Sequence, residues 1–231
     1  MKIVLNYEIA AAFKCATGIN VLPLKPYDKL ALPVCAHADM LTCIIDKKVF
    51  SYSDYIEYNK AAFEEMKRDG YEVVECTPPV SQDYPSDVGL NVAVVGKRVF
   101  CRVQSVAKEI KDYVLENGYE LIDVKQGYAG CTTLVLNENN AVTGDPSIKI
   151  AMEKSGINVL FIDEDNIRLP GYNKGFIGGA SLVINDTVYF FGDVKKLSEY
   201  SKISSFISSL KMKEISILSG DVVDFGGGKV I

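Results

Sequence analysis

The chain has 231 residues, 48% of them hydrophobic and 24% charged, with a net charge of −5. No stretch stays apolar for the roughly 20 residues of a membrane helix, and an acidic balance without a basic run argues against a nucleic-acid partner. A single His and six cysteines without a Cys-x-x-Cys pair suit neither a zinc site nor a disulfide framework, so no metal or other cofactor is expected and a reducing cytoplasm is the expected setting.

In chain order, Lys2 to Leu5 reads as a strand rather than as part of a signal peptide. A helix from Tyr7 to Ala16 and a strand opening at Gly18-Ile19-Asn20-Val21-Leu22 follow. Four stretches then superpose without a gap on the apolar triplets starting at Cys43, Ala93, Leu134 and Leu182, a repeat of 41 to 50 residues. Each triplet is followed by a polar turn and a second strand centred on Val49, Val99, Val142 or Val188. Asp54, Gln104, Asp145 and Asp193 stand eleven residues after the triplet starts, where helices are expected to begin. The expected helices are Tyr55 to Arg68, Gln104 to Asn117, the segment from Pro146 to Gly156, and Leu197 to Leu210; third strands open at Gly70, Gly118 and Gly156.

The last residues, Asp224 to Ile231, read as the first strand of a unit with nothing after it, and the N-terminal strand, helix and strand complete that unit. The expected fold is therefore an α/β propeller of five ββαβ units in a single domain, 1–231, with the fifth unit closed by both chain ends and the first strands nearest the axis. The inter-unit loops Thr77–Asp87 and Asp165–Gly175 are expected to matter most for function, the second of them lying at the channel mouth.

Departures from the repeat mark where chemistry was written. Four residues before the triplets stand Asp39, Gly89, Gly130 and Gly178; three before stand Met40, Leu90, Cys131 and Gly179. Six before stand His37, Asp87, Tyr128 and Phe176, with Asp224 matching in the last unit. His37, Asp39, Asp87, Cys131 and Asp224 are thus expected at the axial ends of the inner strands. A thiol and an imidazole converging there supply a nucleophile and a proton shuttle. Asp87, after Pro85-Ser86, also reads as a turn residue, and Cys15, Cys35, Cys43, Cys76 and Cys101 read as small core hydrophobes.

A fivefold ββαβ ring resembles the pentein, or guanidino-group-modifying, superfamily of arginine deiminases, dimethylarginine dimethylaminohydrolases, agmatine deiminases and amidinotransferases. His37-Ala38-Asp39-Met40 is similar to its His-x-Asp motif, and Gly127-Tyr128-Ala129-Gly130-Cys131-Thr132-Thr133 to its Gly-rich approach to the nucleophile. The Cys unit follows two units after the His unit, as in that superfamily, in an order that resembles a circular permutation. Where an acidic phrase is expected the fifth unit has Phe225-Gly226-Gly227-Gly228, leaving Asp224 and Asp221 as the nearest carboxylates.

The resemblance implies a Cys-dependent hydrolase or amidinotransferase acting on a guanidino or amidine C–N bond through a thiouronium-like intermediate. Cys131 is the nucleophile, His37 the proton shuttle and Asp39 the partner of the cationic head. Asp224, Asp87, Arg168 and Asn173 are the expected substrate-binding residues, with Arg168 or Lys174 placed by loop position to receive a carboxylate. The expected partner is a small molecule, with no nucleic acid, membrane or metal, and the oligomeric state is left open. Two other functions fit the same sequence: a non-catalytic binding protein like the ribosome anti-association factor that shares the fold, and a Cys hydrolase of a neutral amide or urea.

Overall fold

The computed structural model describes residues 1–79 and 81–231; Val80, within the expected loop 77–87, lies outside the described residues. In chain order the elements are β1 (Lys2–Asn6), α1 (Tyr7–Thr17), β2 (Asn20–Leu24), α2 (Ala38–Leu41), β3 (Cys43–Ile45), β4 (Lys48–Tyr52), α3 (Ser53–Tyr58), α4 (Lys60–Arg68) and β5 (Glu72–Cys76). There follow β6 (Ala93–Val95), β7 (Arg98–Cys101), α5 (Lys108–Glu116), β8 (Glu120–Asp123), β9 (Thr133–Asn137), β10 (Asn140–Thr143), α6 (Pro146–Lys154) and β11 (Asn158–Phe161). The chain ends with β12 (Ser181–Ile184), β13 (Thr187–Phe190), α7 (Tyr200–Ser209), β14 (Lys213–Ser216) and β15 (Gly228–Val230).

These strands form five three-stranded sheets: β3-β4-β5, β6-β7-β8, β9-β10-β11, β12-β13-β14 and β15-β1-β2. In each, an antiparallel hairpin is extended by a parallel third strand reached through a helix, as a ββαβ unit requires. The split unit closes as expected: β15 pairs with β1, Ile3 opposite Val230. Its seam is apolar, with Phe13 of α1 edge-on to Tyr189 at 5.5 Å and to Phe191 at 6.5 Å. Removing a buried aromatic of this kind costs about 3–5 kcal/mol, so the chain ends are held by packing as well as by the β1–β15 ladder.

The first strands line the axis. A cavity of 260 Å³ there is walled by residues of β3, β6, β9, β12 and β15, among them Lys229 of β15, together with Asp39. The helices lie outside, each burying one face: Ala62, Phe63 and Met66 on α4, Ile110 and Val114 on α5, Ile148 and Met152 on α6, Ile203 and Ile207 on α7. No helix among the described residues is long and apolar enough to cross a membrane.

Several local expectations are corrected. The helix expected over 55–68 is two, α3 and α4, broken at Asn59. Asp54 does not cap it; its carboxylate accepts from the Tyr27 hydroxyl and pairs with Lys29. Gln104 does not open a helix, because residues 102–106 form a turn through Val106 N–H to Arg102 O, and α5 starts at Lys108. The 197–210 helix starts at Tyr200 after a short 3-10 turn at Val194–Lys196, which Asp193 caps. Asp145 is the helix cap expected, accepting from the N–H groups of Ser147 and Ile148. Cys15 is exposed and Cys35 half-buried, so neither is a fully buried core residue; Cys43, Cys76 and Cys101 are.

Candidate active site

The segment before the inner strand is a turn, not a strand end, in the four unsplit units; before β15, Asp224 follows Val223, which bridges to Arg168. Leu41 N–H donates to His37 O at 3.1 Å, Thr132 N–H to Tyr128 O at 2.9 Å and Ala180 N–H to Phe176 O at 3.0 Å, the same bond in three units. In the other, Asp87 sits in a 3-10 turn, Ser86–Val88, and Asn91 N–H donates to Val88 O at 3.1 Å. Such a turn rotates its side chains toward the axis, which a strand with its two-residue alternation would not do for neighbouring positions. His37 and Asp39 therefore lie on α2 and its N-terminal boundary rather than on β3, and Cys131 lies in the turn leading into β9.

These turns converge. A narrow cavity of 110 Å³ is lined by His37, Tyr128, Cys131, Phe176 and Asp224, under Val34, Leu169, Tyr172 and Lys174. Tyr128 and Phe176 stack with centroids 6.4 Å apart, and the Tyr128 hydroxyl donates to Asp87 Oδ2 at 2.7 Å. Asp224 Oδ1 accepts from Gly226 N–H and Oδ2 from Phe176 N–H, both at 2.9 Å. The room for that carboxylate comes from the fourth unit: a Cβ on Gly179 would lie 2.0 Å from Asp224 Oδ1.

Cys131 is fixed by a residue that the sequence comparison passed over. The Asn91 side-chain amide donates to Cys131 Sγ at 3.0 Å, and its oxygen accepts from the N–H groups of Gly130 at 2.7 Å and Cys131 at 3.3 Å. The same amide reaches Asp39 O at 3.2 Å, tying the Cys turn to the His turn. Its signal was present: two residues before the triplets stand Leu41, Asn91, Thr132 and Ala180, so Asn91 breaks the pattern at one offset more than was compared. Glu164, fully buried with Oε1 accepting from Ile177 N–H at 2.9 Å, was also passed over and lies outside the repeat positions.

The electrostatics are those of buried acids for which burial outweighs the groups that favour ionisation. Burial pushes Asp224 up to about 8, with Asp39 adding to it. Burial likewise raises Asp39 to about 6, Glu164 to about 7, and Asp87 above the usual carboxylate range. Burial lowers His37 to about 3, and burial followed by the charges of Asp39 and Asp224 raises the Cys131 thiol well above its ordinary value. His37 Nδ1 lies 3.7 Å from Asp224 Oδ1 without a hydrogen bond, so at neutral pH this is a contact between two mostly neutral groups and not an ion pair. Both Asp39 oxygens lack a hydrogen-bond partner among the described residues, although the thiol of Cys131 is near enough to affect its titration. Among the described residues no salt bridge reaches Asp39, Asp87 or Glu164. The positive charges nearest these acids are Lys229, which lines the axial cavity with Asp39 and partly offsets the rise in its pKa, and Lys174 at the narrow pocket; neither forms a salt bridge with Asp39, Asp87, Glu164 or Asp224.

A family model described as "Family of unknown function (DUF6873)" matches residues 5–228. The chain belongs to that family. No curated protein sequence matches it. Its structure is similar to that of DDAH from Pseudomonas aeruginosa, a mutant complexed with citrulline, at TM-score 0.56 and 12% identity over 98% of this chain and 95% of that one. It is also similar to SxtG, an amidinotransferase from Microseira wollei, at TM-score 0.57 and 12% identity over 94% and 88% of the two chains. The agmatine deiminase of C. jejuni gives TM-score 0.58 and 11% identity over 94% and 86%. All three are pentein-fold proteins, and the fold of this member of DUF6873 is the pentein.

Of the expected site residues, the structure brings His37, Asp39, Asp87, Cys131 and Asp224 together in the interior. Asp39 lines the axial cavity rather than the narrow pocket, with the Cys131 thiol near its carboxyl. Arg168 does not line the narrow pocket; its guanidinium is exposed and 3.4 Å from Asp221, because the loop that carries it is pinned outward by bridging to Val223. Asn173 is exposed and also outside the pocket, whereas its neighbours Tyr172 and Lys174 line it. Asp221, the other candidate carboxylate of the fifth unit, is half exposed between Arg168 and Lys196, leaving Asp224 as the buried acid.

Proposed function

We propose that this protein is a Cys-dependent enzyme acting on a C–N bond of a cationic amidine or guanidine. The observation that carries the reading is the grouping of one thiol, one imidazole and buried carboxyls that, among the described residues, no Lys or Arg pairs with directly. An amidinium is a cation at neutral pH with planar N–H donors, the ligand that pairs with such carboxylates in bidentate fashion. Its arrival would supply that pairing, lower the pKa of Asp224 and Asp39, and favour the Cys131 thiolate. A neutral amide or urea would leave those acids as they are, so the number of buried carboxyls disfavours that alternative.

In the proposed cycle the Cys131 thiol gives its proton to His37, which becomes the imidazolium, as Sγ adds to the amidine carbon and forms a C–S bond. The C–N bond then breaks as the amine leaves, taking a proton from His37. His37, now neutral, accepts a proton from the water or amine that attacks the thiouronium carbon, and the C–S bond breaks to return the thiolate. Asn91 holds Sγ toward the pocket throughout, and Tyr128 and Phe176 provide the aromatic walls that a flat cation stacks on.

The test is alkylation with 2-chloroacetamidine against neutral 2-chloroacetamide, with the modified cysteine mapped by mass spectrometry. Selective modification of Cys131 by the cation, weakened in Asp39→Asn and Asp224→Asn, supports the reading. Equal labelling by both reagents removes the cationic substrate, and a Cys131 less reactive than exposed Cys15 toward both removes the nucleophile.

A further inference from the structure

Beside the narrow pocket lies a larger cavity of 750 Å³. It shares His37, Leu169 and Asp224 with the narrow pocket, so the two adjoin at the candidate site. The rest of its wall is chiefly apolar, from Pro26, Leu32, Pro33, Ala36, Pro170 and Phe225, with Asn6, Glu8 and Arg168 as its polar members. Leu32 is 85% exposed and Tyr7 46% exposed, so two large side chains on its rim lack cover. Among the described residues the basic group on its lining is Arg168, which points to solvent at 66% exposure and is paired with Asp221.

A ligand reaching across both spaces would meet two different environments. Its head would meet buried acids, the thiol and the imidazole. Its remainder would meet mostly carbon, and where the wall is charged it offers the Glu8 carboxylate and an Arg168 already paired with Asp221, so no free cation receives a carboxylate there. A guanidino amino acid fits the first environment and not the second, because a carboxylate taken from water into an apolar wall needs a fixed partner. We propose that the 750 Å³ cavity receives the distal arm of the substrate and that this arm is apolar, making the substrate class an N-alkyl or N-aryl amidine or guanidine. The proposal rests on the reading of the narrow pocket as the site where Cys131 meets a cationic head.

Because each buried methylene tightens binding by roughly three- to fourfold, chain length gives a direct readout. The full-length protein is treated with 2-chloroacetamidine, its N-hexyl derivative and its N-(carboxypropyl) derivative, and the second-order rate of Cys131 modification is followed by mass spectrometry. The hexyl reagent is expected to react at least about tenfold faster than the parent, and the carboxylate-bearing reagent no faster than it. In Leu32→Glu, a change at an exposed position, the ratio of hexyl to parent rates is expected to fall by roughly tenfold. If the parent modifies Cys131 but the hexyl reagent is equal or slower, or the carboxylate reagent is preferred, the apolar arm is overturned while the cationic head survives. If no reagent modifies Cys131 in preference to Cys15, both readings fall together.

Discussion

The side-chain amide of Asn91 donates to Cys131 Sγ at 3.0 Å while its oxygen holds the N–H groups of Gly130 and Cys131. One side chain thus sets the backbone of the nucleophile turn and the direction of its sulfur. A hydrogen bond to a charged group contributes about 1.5–3 kcal/mol. Asn91→Ala is expected to slow Cys131 alkylation by about 10- to 100-fold at fixed pH and to shift the pH–rate profile upward. A pH profile that keeps its midpoint would mean that Asn91 shapes the turn without acting on the thiolate.

Asp39 has the sharpest stability consequence. A carboxyl with a higher pKa folded than unfolded holds its proton more tightly in the native state. Its contribution is full below the unfolded value of 3.8 and is lost as pH rises through about 6 for Asp39 and about 8 for Asp224. His37 works the other way: its contribution is lost as pH falls from 6.5 toward about 3. Melting temperature should therefore decline between pH 6.5 and 8.5. Asp39→Asn should match the wild type near pH 4 and exceed it at pH 8 by on the order of 2–3 kcal/mol. Equal stability of the two proteins at pH 8 would show that Asp39 is not held against its ionisation.

The same protonated acids make cation binding proton-linked. Since an amidinium prefers carboxylates, binding should release protons, and affinity for acetamidine should rise with pH and level off above about 8, the value for Asp224. The slope is at most about tenfold per pH unit for each proton released. Calorimetry in buffers of different ionisation enthalpy measures that proton count. Binding without proton release would place the cation away from Asp39 and Asp224.

Gly179 tests the space left for Asp224. Its Cβ would stand 2.0 Å from Asp224 Oδ1, while a Cβ on Gly220 would meet nothing within 4 Å. Gly179→Ala is expected to destabilise the protein by about 1–3 kcal/mol and to reduce cation-selective labelling of Cys131. Gly220→Ala serves as the control, with stability unchanged within about 0.5 kcal/mol. A Gly179→Ala protein as stable as the control would mean that the Asp224 carboxylate has room to move.

Much of this was legible in the chain. The gap-free superposition of the triplets at Cys43, Ala93, Leu134 and Leu182 carries the five sheets, and the unmatched tail at Asp224–Ile231 carries the closure through β1. His37, Asp39, Cys131 and Asp224 emerged as departures from that repeat. Asn91 was equally visible at its own offset and was not compared. The break at Asn59 and the late start of α5 were not legible, because the apolar spacing continues through both while backbone turns decide where the helix runs.

The sequence by itself determined the repeat, the order of its units and the chemical inventory at each repeat position, because hydrophobic periodicity and local turn chemistry act between near neighbours. Only the tertiary structure decided which of those groups lose water together. It sent Asp221 and Arg168 to the surface and Asp224 to the interior, though Arg168 bridges to Val223, the residue next to Asp224. It set Asn91 against Cys131 across a gap of forty residues. Burial and through-space charge then fixed the protonation of His37, Asp39 and Asp224, since both depend on distances that the linear order of residues does not contain.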